Sequence, residues 1–412
     1  MNVGIIVFAY NRFQHLKNVL EGLKKNEGIC KLYIFQDGLK CEKHRDTWER
    51  VCQIITEIDW CEVVYYQSPY NKGLSVSIVD GINTVFKENN AVVVLEDDCV
   101  PHPLFMEYVR GCLEKYQYDK RVFSINGYSW NADVESNGTD AYFIGRTSSW
   151  GWATWKDRWE LYEQDYKILR RIRKEPEKSR MFDVWGQDLE NHLLGNIYGN
   201  CDSWAVFWAL KCIELGGFCP TPYFSLIDNI GCDGTGVHCG NVDMTTRMRK
   251  WDDTKKIALP DKIEFPANYE TAFLEWFKWT SQNVKLNCYN RILCQWNNIL
   301  HKNISIAEYF TKRNIINIAI WGRGDLCKLL LHELHKKIQV NYIIESKPMS
   351  SQYESFSVIK PCEVPDIVQV IVVIPIYDMA NIQKIMKKDS KAILIGIDEI
   401  LKNLDQEYTF VN

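Results

Sequence analysis

The chain has 412 residues, of which 46% are hydrophobic and 25% charged, with a net charge of −4 at pH 7. This composition is typical of a soluble globular protein, and the length suits two domains. Because the net charge is slightly negative, no basic field favours nucleic acid as a partner.

The first hundred residues alternate strand-like and helix-like patterns. Apolar runs predict strands at 3–8, 31–36, 60–66 and 91–95, and helical spacing predicts helices over 12–25 and 74–85. Strands alternating with helices predict an α/β fold with a parallel or mixed sheet covered on both faces. In such sheets ligands bind at the carboxyl ends of the strands, where Asp37 and the Glu96-Asp97-Asp98 triplet fall.

Three further segments follow this series. Residues 124–238 are less regular and rich in tryptophan, and 268–310 carry apolar residues with a period of 3.5, which predicts a helical connector. From Asn314 a second strand–helix series contains the turn Gly322-Arg323-Gly324, which predicts a small Rossmann-like α/β domain. We therefore predict a domain over 1–265, a helical connector over 266–312 and a small Rossmann-like domain over 313–412.

The carboxylate triplet directly follows the strand predicted at 91–95. Three adjacent carboxylates repel one another unless a cation or solvent compensates their charge. A hard divalent cation, Mn²⁺ or Mg²⁺, prefers such oxygen ligands and acts as a Lewis acid on a leaving diphosphate. Taken alone, the triplet is equally compatible with a solvated acidic loop.

Three turns precede the triplet: Ala9-Tyr10-Asn11-Arg12, Gln36-Asp37-Gly38 and Asn71-Lys72-Gly73-Leu74. In this order, the four elements resemble the nucleotide-binding half of GT-A-fold glycosyltransferases, of the family-two and N-acetylglucosaminyltransferase I types. Later segments that resemble bacterial surface-polysaccharide glycosyltransferases are Ser149–Trp155, Asp202-Ser203-Trp204 and Asn229-Ile230-Gly231 through His238. The resemblance covers about residues 1–245. It implies metal-dependent, inverting transfer of a sugar from a nucleoside diphosphate, expected to be uridine diphosphate, to a glycan or lipid-linked glycan.

The resemblance also implies roles for individual residues. The implied metal ligands are Asp98 and His238, with Glu96 behind them. The implied donor-binding residues are Arg12, Asp37, Asn71, Lys72, Asp97, Trp150, Gly151 and Trp152. Structural alternatives stand beside these roles: Asp37 is also a turn former, and Asn71 and Lys72 are also helix-capping residues. Arg12 is equally a surface charge at a helix start, and most of the tryptophans are expected to fill the core.

An inverting transfer needs a general base that deprotonates the acceptor hydroxyl. In many bacterial relatives an aspartate follows the Ser-Trp pair, but this chain has Ala205 there. Asp202 is the preferred substitute and Asp188 the second, with Asp228 and Asp233 also open. Asp202 is equally expected to cap the helix that follows it.

Two other functions remain alternatives. A sugar nucleotidyltransferase would carry a glycine-rich, arginine-containing loop after the first strand, and the Ala9-Tyr10-Asn11-Arg12 turn counts against it. A non-catalytic nucleotide-sugar-binding or scaffold subunit of a polysaccharide assembly system is kept open by Ala205.

Location and assembly are less constrained. The chain has no signal-peptide pattern and no run of about 20 apolar residues, so a cytoplasmic location is expected, with peripheral association at the cytoplasmic face of a membrane as an alternative. The 15 cysteines lack CxxC pairs, which favours free thiols in a reducing compartment. In the last domain, Gly322, Gly324 and Glu345 have the spacing of a dinucleotide fingerprint, but Cys327 stands at its third glycine. Nucleotide binding and a structural role both remain open there, and the oligomeric state is unknown.

Overall fold

The computed structural model describes residues 1–130, 132–199, 201–231, 257–334, 337–348, 350–386 and 391–409. The chain divides into two compact units, Met1–Trp279 and Thr280–Asn412. Among the described residues, no helix combines the length and the apolar character that crossing a bilayer requires.

A mixed six-stranded sheet forms the frame of the first unit. The strands of this unit are β1 (Val3–Ala9), β2 (Lys31–Gln36), β3 (Glu62–Gln67), β4 (Ala91–Glu96), β5 (Cys99–Pro101), β6 (Ile125–Asn126), β7 (Ala141–Ile144), β8 (Trp152–Trp155), β9 (Cys219–Pro222) and β10 (Ile227–Asn229). Across the large sheet the order is β3-β2-β1-β4-β8-β6, in which the first four strands run parallel and β8 is antiparallel to β4 and β6.

Nine described α-helices lie wholly within the first unit. They are α1 (Phe13–Lys24), α2 (Arg45–Thr56), α3 (Leu74–Val85), α4 (Phe105–Tyr116), α5 (Lys156–Trp159), α6 (Ile168–Ile172), α7 (Pro176–Trp185), α8 (Leu189–Tyr198) and α9 (Ala205–Glu214). Helix α1 forms where predicted because Leu16, Val19, Leu20 and Leu23 recur at helical spacing and are all buried. Strand β4 is buried over its first five residues, as expected of a strand with helices on both faces.

The register of the parallel strands brings three turns to one edge of the sheet. Phe8 of β1 pairs with Glu96 of β4, and Ala9 pairs with Gln36 of β2. The residues that follow β1, β2 and β4 therefore emerge side by side at the carboxyl edge, where α/β sheets bind ligands.

A small antiparallel ladder returns the chain to the same edge from more than 120 residues away. Strand β10 pairs with β5, and Asn229 lies opposite Cys99, the residue after the carboxylate triplet. The backbone N–H of Ile230 donates to the carbonyl of Asp98 at 2.9 Å. This pairing closes the carboxylate turn with a segment that the strand–helix pattern of the first hundred residues does not contain.

The second unit is built on a sheet of its own. After α10 (Tyr269–His301) and α11 (Ala307–Thr311) come β11 (Asn317–Trp321), α12 (Asp325–Leu334), β12 (Gln339–Ile344), β13 (Gln352–Tyr353), β14 (Phe356–Ile359), β15 (Val370–Val373), α13 (Met379–Met386), β16 (Ile393–Gly396) and α14 (Ile397–Thr409). The order β13-β14-β12-β11-β15-β16 is parallel except for β13 and matches the central order of a Rossmann sheet. The predicted fold class, α/β with a mixed sheet followed by a helical segment and a Rossmann-like sheet, is confirmed.

The boundary between the units falls inside α10. Phe273 and Phe277, in its first part, belong to the core of the first unit. Ile292, Trp296 and Ile299, in its last part, belong to a core of the second unit. The segment 266–312 that was predicted as a connector thus supplies core residues to each unit.

Candidate functional site

Arg12, Asp97 and Asp98 form an ion-pair cluster at the carboxyl edge of the first sheet. One guanidinium nitrogen of Arg12, Nη2, contacts Oδ1 of Asp97 and lies 2.9 Å from Oδ2 of Asp98. Both aspartates are buried, at 4% and 9% exposure. Burial opposes the charge on Arg12, but the two carboxylates outweigh it and raise the pKa of the guanidinium.

The cluster carries more negative than positive charge. Burial, reinforced by repulsion from Asp98 and Asp97, raises the pKa of Glu96 to about 8. Burial also raises the pKa of Asp97, and Asp98 adds to the rise, while Arg12 and the backbone N–H of Tyr10 oppose it. Asp97 and Asp98 thus share one guanidinium while Glu96 lies close enough to be repelled by both, and a further cation would relieve this repulsion.

Gly231 packs directly on the Asp98 carboxylate. A Cβ at this position would lie 2.2 Å from Oδ2 of Asp98 and 2.8 Å from its Cγ. The Gly231 N–H donates to Oδ1 of Asn229 at 2.9 Å, which holds the backbone in this close approach. Only glycine fits between the returning chain and the carboxylate.

Asp37 has a different setting from the one the resemblance implies. Its Oδ1 accepts from the backbone N–H groups of Gly38 and Lys72 at 2.8 and 2.9 Å. Its Oδ2 accepts from Nδ2 of Asn71 and the N–H of Gly73 at 2.9 and 3.0 Å. A carboxylate offers about four acceptor positions, and these four donors occupy them. Asp37 therefore fixes the turn 71–73, as expected of a turn former, and its predicted contact with the donor stays a prediction.

Asn71 and Lys72 are both part of that turn. Asn71 also donates from Nδ2 to the carbonyl of Gly38 at 2.9 Å. The ammonium group of Lys72 pairs with Asp80 of α3 at 2.9 Å, so the Lys72 side chain is directed along that helix. The backbone of this turn, more than its side chains, is what lies next to Asp37.

Two residues of the site edge carry no prediction from the sequence. Gln36 is buried and donates from Nε2 to the carbonyls of Tyr10 and Trp48 at 3.1 and 3.0 Å. The hydroxyl of Tyr10 is hydrogen-bonded to Nδ1 of His44 at 2.8 Å and accepts from the N–H of Lys40 at 3.0 Å. Gln36 thus connects the first two turns through its hydrogen bond to Tyr10. A glutamine at the end of an apolar strand is the sequence signal from which this connection could have been predicted.

Asp202 lies at the start of α3, next to the turn that Asp37 holds. Its Oδ2 accepts from the backbone N–H of Ser75 at 3.2 Å, and a Cβ on Gly73 would lie 3.1 Å from the same oxygen. The side chain is exposed. Asp202 thus caps α3, which is remote in sequence, whereas the cap residue of α9, the helix that follows it, is Trp204.

Asp188, the second predicted base, is engaged elsewhere. Its two oxygens receive Nη1 and Nη2 of Arg146 at 2.5 and 2.8 Å, and Nη1 also donates to the carbonyl of Trp185 at 2.9 Å. Burial would raise its pKa, but Arg146 outweighs burial and lowers it. A carboxylate held by a two-point ion pair is a poor proton acceptor, so we assign Asp188 a structural role in place of the predicted one.

The predicted sugar-facing residues separate into two settings. Trp152 is 0% exposed and packs against Trp204 and Trp208 with ring centroids 5.2 and 6.0 Å apart. This burial places Trp152 in the core, in contrast to the predicted sugar contact. Trp150 is half-buried, with its ring edge-on to Tyr128 at 4.6 Å.

Gly151, between them, has φ +59°, and a Cβ there would lie 2.3 Å from Cδ1 of Ile227 on β10. It thus packs on the ladder that closes the carboxylate turn. Among the predicted sugar-facing residues, Gly151 is thus the one that contacts this ladder.

His238 and Asp233 lie outside the described residues. Within the described part of the chain, no three histidine, cysteine, aspartate or glutamate side chains form a group that could hold a metal ion. The chemistry of the cluster still suits a hard divalent cation, because Asp97 and Asp98 offer carboxylate oxygens and the cluster has unneutralised negative charge. The cysteines among the described residues are free thiols.

The glycine turn of the second unit is also partly occupied by protein groups. Nε of Arg323 pairs with Oε1 of Glu345 at 2.6 Å, and the hydroxyl of Tyr353 accepts from the N–H of Gly324 at 3.1 Å. Glu345, which in a dinucleotide fingerprint would bind a ribose, is thus bound to the glycine turn itself.

No protein-family model and no curated protein matches this chain. Solved structures with some likeness include S. aureus TarS 1–349 in complex with UDP-GlcNAc, at TM-score 0.25 and 12% identity over 34% of this chain and 36% of TarS. A second structure of S. aureus TarS 1–349 aligns at TM-score 0.33 and 10% identity over 55% and 59% of the two chains. The mannosyltransferase PcManGT from Pyrobaculum calidifontis, in complex with GDP-Man and Mn²⁺, aligns at TM-score 0.29 and 9% identity over 52% and 69%. The match thus spans less than two thirds of either TarS chain, and TM-scores this low carry no inference about activity.

Proposed function

We propose that the first unit is a glycosyltransferase that binds a nucleoside diphosphate sugar with a divalent cation and transfers the sugar to an acceptor hydroxyl. The observation that carries the proposal is the cluster of Arg12, Asp97 and Asp98 at the carboxyl edge of the sheet, with Gly231 packed on Asp98. Two buried carboxylates that share one arginine are costly as a purely structural feature, which favours a ligand that uses them.

Arg12 supports an anionic ligand. Its Nη1 is buried and has no hydrogen-bond partner among the described residues, while Nη2 serves both aspartates. An unsatisfied guanidinium nitrogen beside two carboxylates suits a diphosphate oxygen. In this proposal Arg12 holds the carboxylates and the diphosphate together.

The cation, Mn²⁺ or Mg²⁺, would be held by Asp98, with Asp97 beside it and His238 as a further proposed ligand. Such a cation neutralises the charge that develops on the leaving diphosphate. It would also relieve the repulsion that, in addition to burial, raises the pKa of Glu96. The role of Glu96 is to tune the charge of the cluster behind its metal ligands.

The turn 71–73, which is held by hydrogen bonds to Asp37, is proposed to form another wall of the donor site. We propose uridine diphosphate as the nucleotide and a glycan or lipid-linked glycan as the acceptor, in bacterial surface polysaccharide or glycoconjugate synthesis. Trp150 and Gly151 are proposed to lie near the sugar. Inversion of the anomeric configuration is expected.

Asp202 is the proposed general base. It is exposed, and one of its oxygens caps α3. Among the described residues the other oxygen has no hydrogen-bond donor, and we propose that it takes the proton of an acceptor hydroxyl. Its place beside Gly73 puts it next to the turn that Asp37 anchors.

Donor hydrolysis tests the proposal. The purified chain with Mn²⁺ should release nucleoside diphosphate slowly from one member of a panel of nucleotide sugars. Asp98→Asn should reduce the rate by at least about 100-fold, because altering even the surroundings of a metal site costs about 10- to 100-fold. Asp59→Asn, the same change at an exposed surface residue, is the matched control and should keep the wild-type rate. Release that is equal in Asp98→Asn and wild type would refute the site.

A further inference from the structure

A groove of about 350 Å³ lies between α3 and α5 in the first unit. Phe86 and Trp159 line it and are each 4% exposed, so its floor is aromatic. Val79 and Asn83 line the groove from α3, and the half-buried Tyr162 lines it from the segment after α5. The rings of Trp159 and Tyr162 are stacked, with centroids 4.7 Å apart and planes at 9°. Aromatic rings with a polar tip suit the mixed apolar and polar surface of a sugar.

Asn83 presents an oriented amide to this groove. Its Oδ1 accepts from the indole N–H of Trp159 at 2.9 Å, and its side chain is exposed. Because this bond identifies the oxygen, the remaining polar atom is Nδ2, which has no acceptor among the residues that the structure describes. A sugar hydroxyl is a suitable acceptor for such an amide donor.

The groove begins one helical turn from the proposed base. Asp202 accepts from the backbone N–H of Ser75 in the first turn of α3. Val79 and Asn83 follow Ser75 at steps of four residues, so the three lie on one face of the helix. The groove therefore starts about 6 Å along α3 from Ser75 and extends to about 16 Å from it, beside Phe86. A saccharide whose terminal hydroxyl lies at Asp202 can place its next sugars there.

Tyr162 marks the end of the groove that lies towards Asp202. Burial raises the pKa of Tyr162 to about 12, and the negative charge of Asp202 adds to this rise. The phenol and the proposed base are thus within electrostatic reach of each other.

Two lysines give the other end of the groove its charge. Lys87 follows α3 and Lys156 opens α5; both line the groove and are exposed, and neither has an ion-pair partner among the described residues. The backbone N–H of Lys156 donates to the carbonyl of Asn90, three residues after Lys87, at 2.9 Å. Glu160 is the one carboxylate among the described lining residues. Two ammonium groups against one carboxylate favour an anionic group on a ligand.

We propose that this groove holds the sugars next to the reacting end of the acceptor, and that they carry an acidic group, either a uronate carboxylate or a phosphodiester. The inference rests on the proposed function, because it places the acceptor hydroxyl at Asp202. Tyr162 contacts a sugar ring, the Asn83 amide binds a hydroxyl, and Lys87 and Lys156 pair with the acidic group. A membrane surface does not suit the groove, because its aromatic floor is buried and a membrane needs an exposed apolar face.

Calorimetric titration of the full chain with model oligosaccharides tests the groove without any donor. The probes are a galacturonic acid hexamer and a mannose hexamer joined by phosphodiesters, with maltohexaose as the neutral control. We expect one acidic hexamer to bind, and its identity distinguishes carboxylate from phosphodiester. Combined Lys87→Gln and Lys156→Gln should weaken this binding about tenfold, since each exposed ion pair contributes roughly threefold to fivefold. Lys25→Gln, at an exposed lysine that does not line the groove, should leave the affinity unchanged.

A bulky side chain tests the groove by blocking it. Val79→Trp should weaken binding of the acidic hexamer by about tenfold or more, because a steric clash excludes the ligand. Gln53→Trp adds the same side chain at an exposed position of α2 and should keep the wild-type affinity. Thermal melting shows whether Val79→Trp is folded; if it is not, the lysine variant decides.

Three results would overturn the groove: neither acidic hexamer binds, maltohexaose binds as tightly as they do, or the lysine variant binds like wild type. Donor hydrolysis by the wild-type chain separates this failure from failure of the proposed function. If hydrolysis is present and any of these results is found, only the groove is wrong. If hydrolysis is absent, the proposed function is wrong and the assignment of the groove to an acceptor falls with it.

Discussion

The pKa of Glu96 reports on the charge balance of the proposed site. Its pKa of about 8 in the folded chain lies above its ordinary value of 4.5, because of burial and the repulsion of Asp98 and Asp97. Between these two values the folded chain keeps a proton that the unfolded chain has lost. The free energy of unfolding therefore falls as pH rises through this window.

The Glu96→Gln substitution removes the group whose ionisation causes this fall in unfolding free energy. In chelator, the decrease in unfolding free energy between about pH 5 and pH 8 should be smaller in the variant by about 1 kcal/mol or more, since each pKa unit corresponds to about 1.4 kcal/mol. Urea denaturation at several pH values measures it, with the exposed Glu27→Gln as control. Parallel stability curves for wild type and Glu96→Gln would contradict the charge balance described for the cluster.

A substitution at Gly231 tests the same cluster through steric overlap with Asp98. Gly231→Ala places a methyl group 2.2 Å from Oδ2 of Asp98, so either the carboxylate or the returning chain must move. We expect loss of the cation-dependent thermal stabilisation by the donor. Gly111→Ala adds a methyl group inside α4, where its nearest neighbour is the end of Leu259 at 3.2 Å, and should keep that stabilisation. A Gly231→Ala protein that responds to donor and cation like wild type would remove Asp98 from the site.

At the scale of elements, α3 depends on a carboxylate supplied from the segment before α9. Asp202 caps α3 in the structure and is also the proposed base. Asparagine caps helices about as well as aspartate, whereas alanine costs about 1 kcal/mol. Asp202→Asn should therefore fold and bind donor like wild type but lose turnover by about 100-fold or more, as expected of a lost general base. If Asp202→Asn keeps full turnover while only Asp202→Ala is destabilised, Asp202 is a cap alone.

Local patterns were sufficient to predict the four parallel strands of the first sheet and the edge that carries the site, but not the short strands β5 to β10. Strand β2 was predicted at the bounds it has, and β4 ends within one residue of its prediction, because unbroken apolar runs define both. The same pattern placed Asp37 and the carboxylate triplet at the carboxyl edge. The partners of the individual site residues could not be predicted in this way, because they depend on contacts between segments far apart in sequence.

Three cases illustrate such contacts. The four donors that occupy Asp37 come mainly from residues 71–73, and the partner of Asp188 is Arg146. The burial of Trp152 follows from its packing on α9. Spacing along the chain gives no information on such pairings, so the partners of these residues could not be predicted from the sequence.

At the scale of the whole molecule, each unit has hydrophobic clusters of its own. Leu330 of α12 is fully buried in the second unit, and Leu330→Ala should cost about 2–5 kcal/mol there. We expect calorimetry to resolve two unfolding transitions, of which this variant lowers only one. Donor with Mn²⁺ should raise the other transition equally in wild type and variant. A single transition that is shifted both by Leu330→Ala and by donor with Mn²⁺ would show that the units unfold together.

The most direct test of the proposed donor site is calorimetric titration of the full chain with uridine diphosphate sugars, with Mn²⁺ and with chelator. We predict binding that needs the cation, is weakened at least about 100-fold by Asp98→Asn and is unchanged in Asp59→Asn. A preferred donor at about 100 times its dissociation constant should also stabilise the chain by about 2.7 kcal/mol. Binding of the same strength in chelator and in Asp98→Asn, or no binding of any nucleotide sugar, would contradict the account.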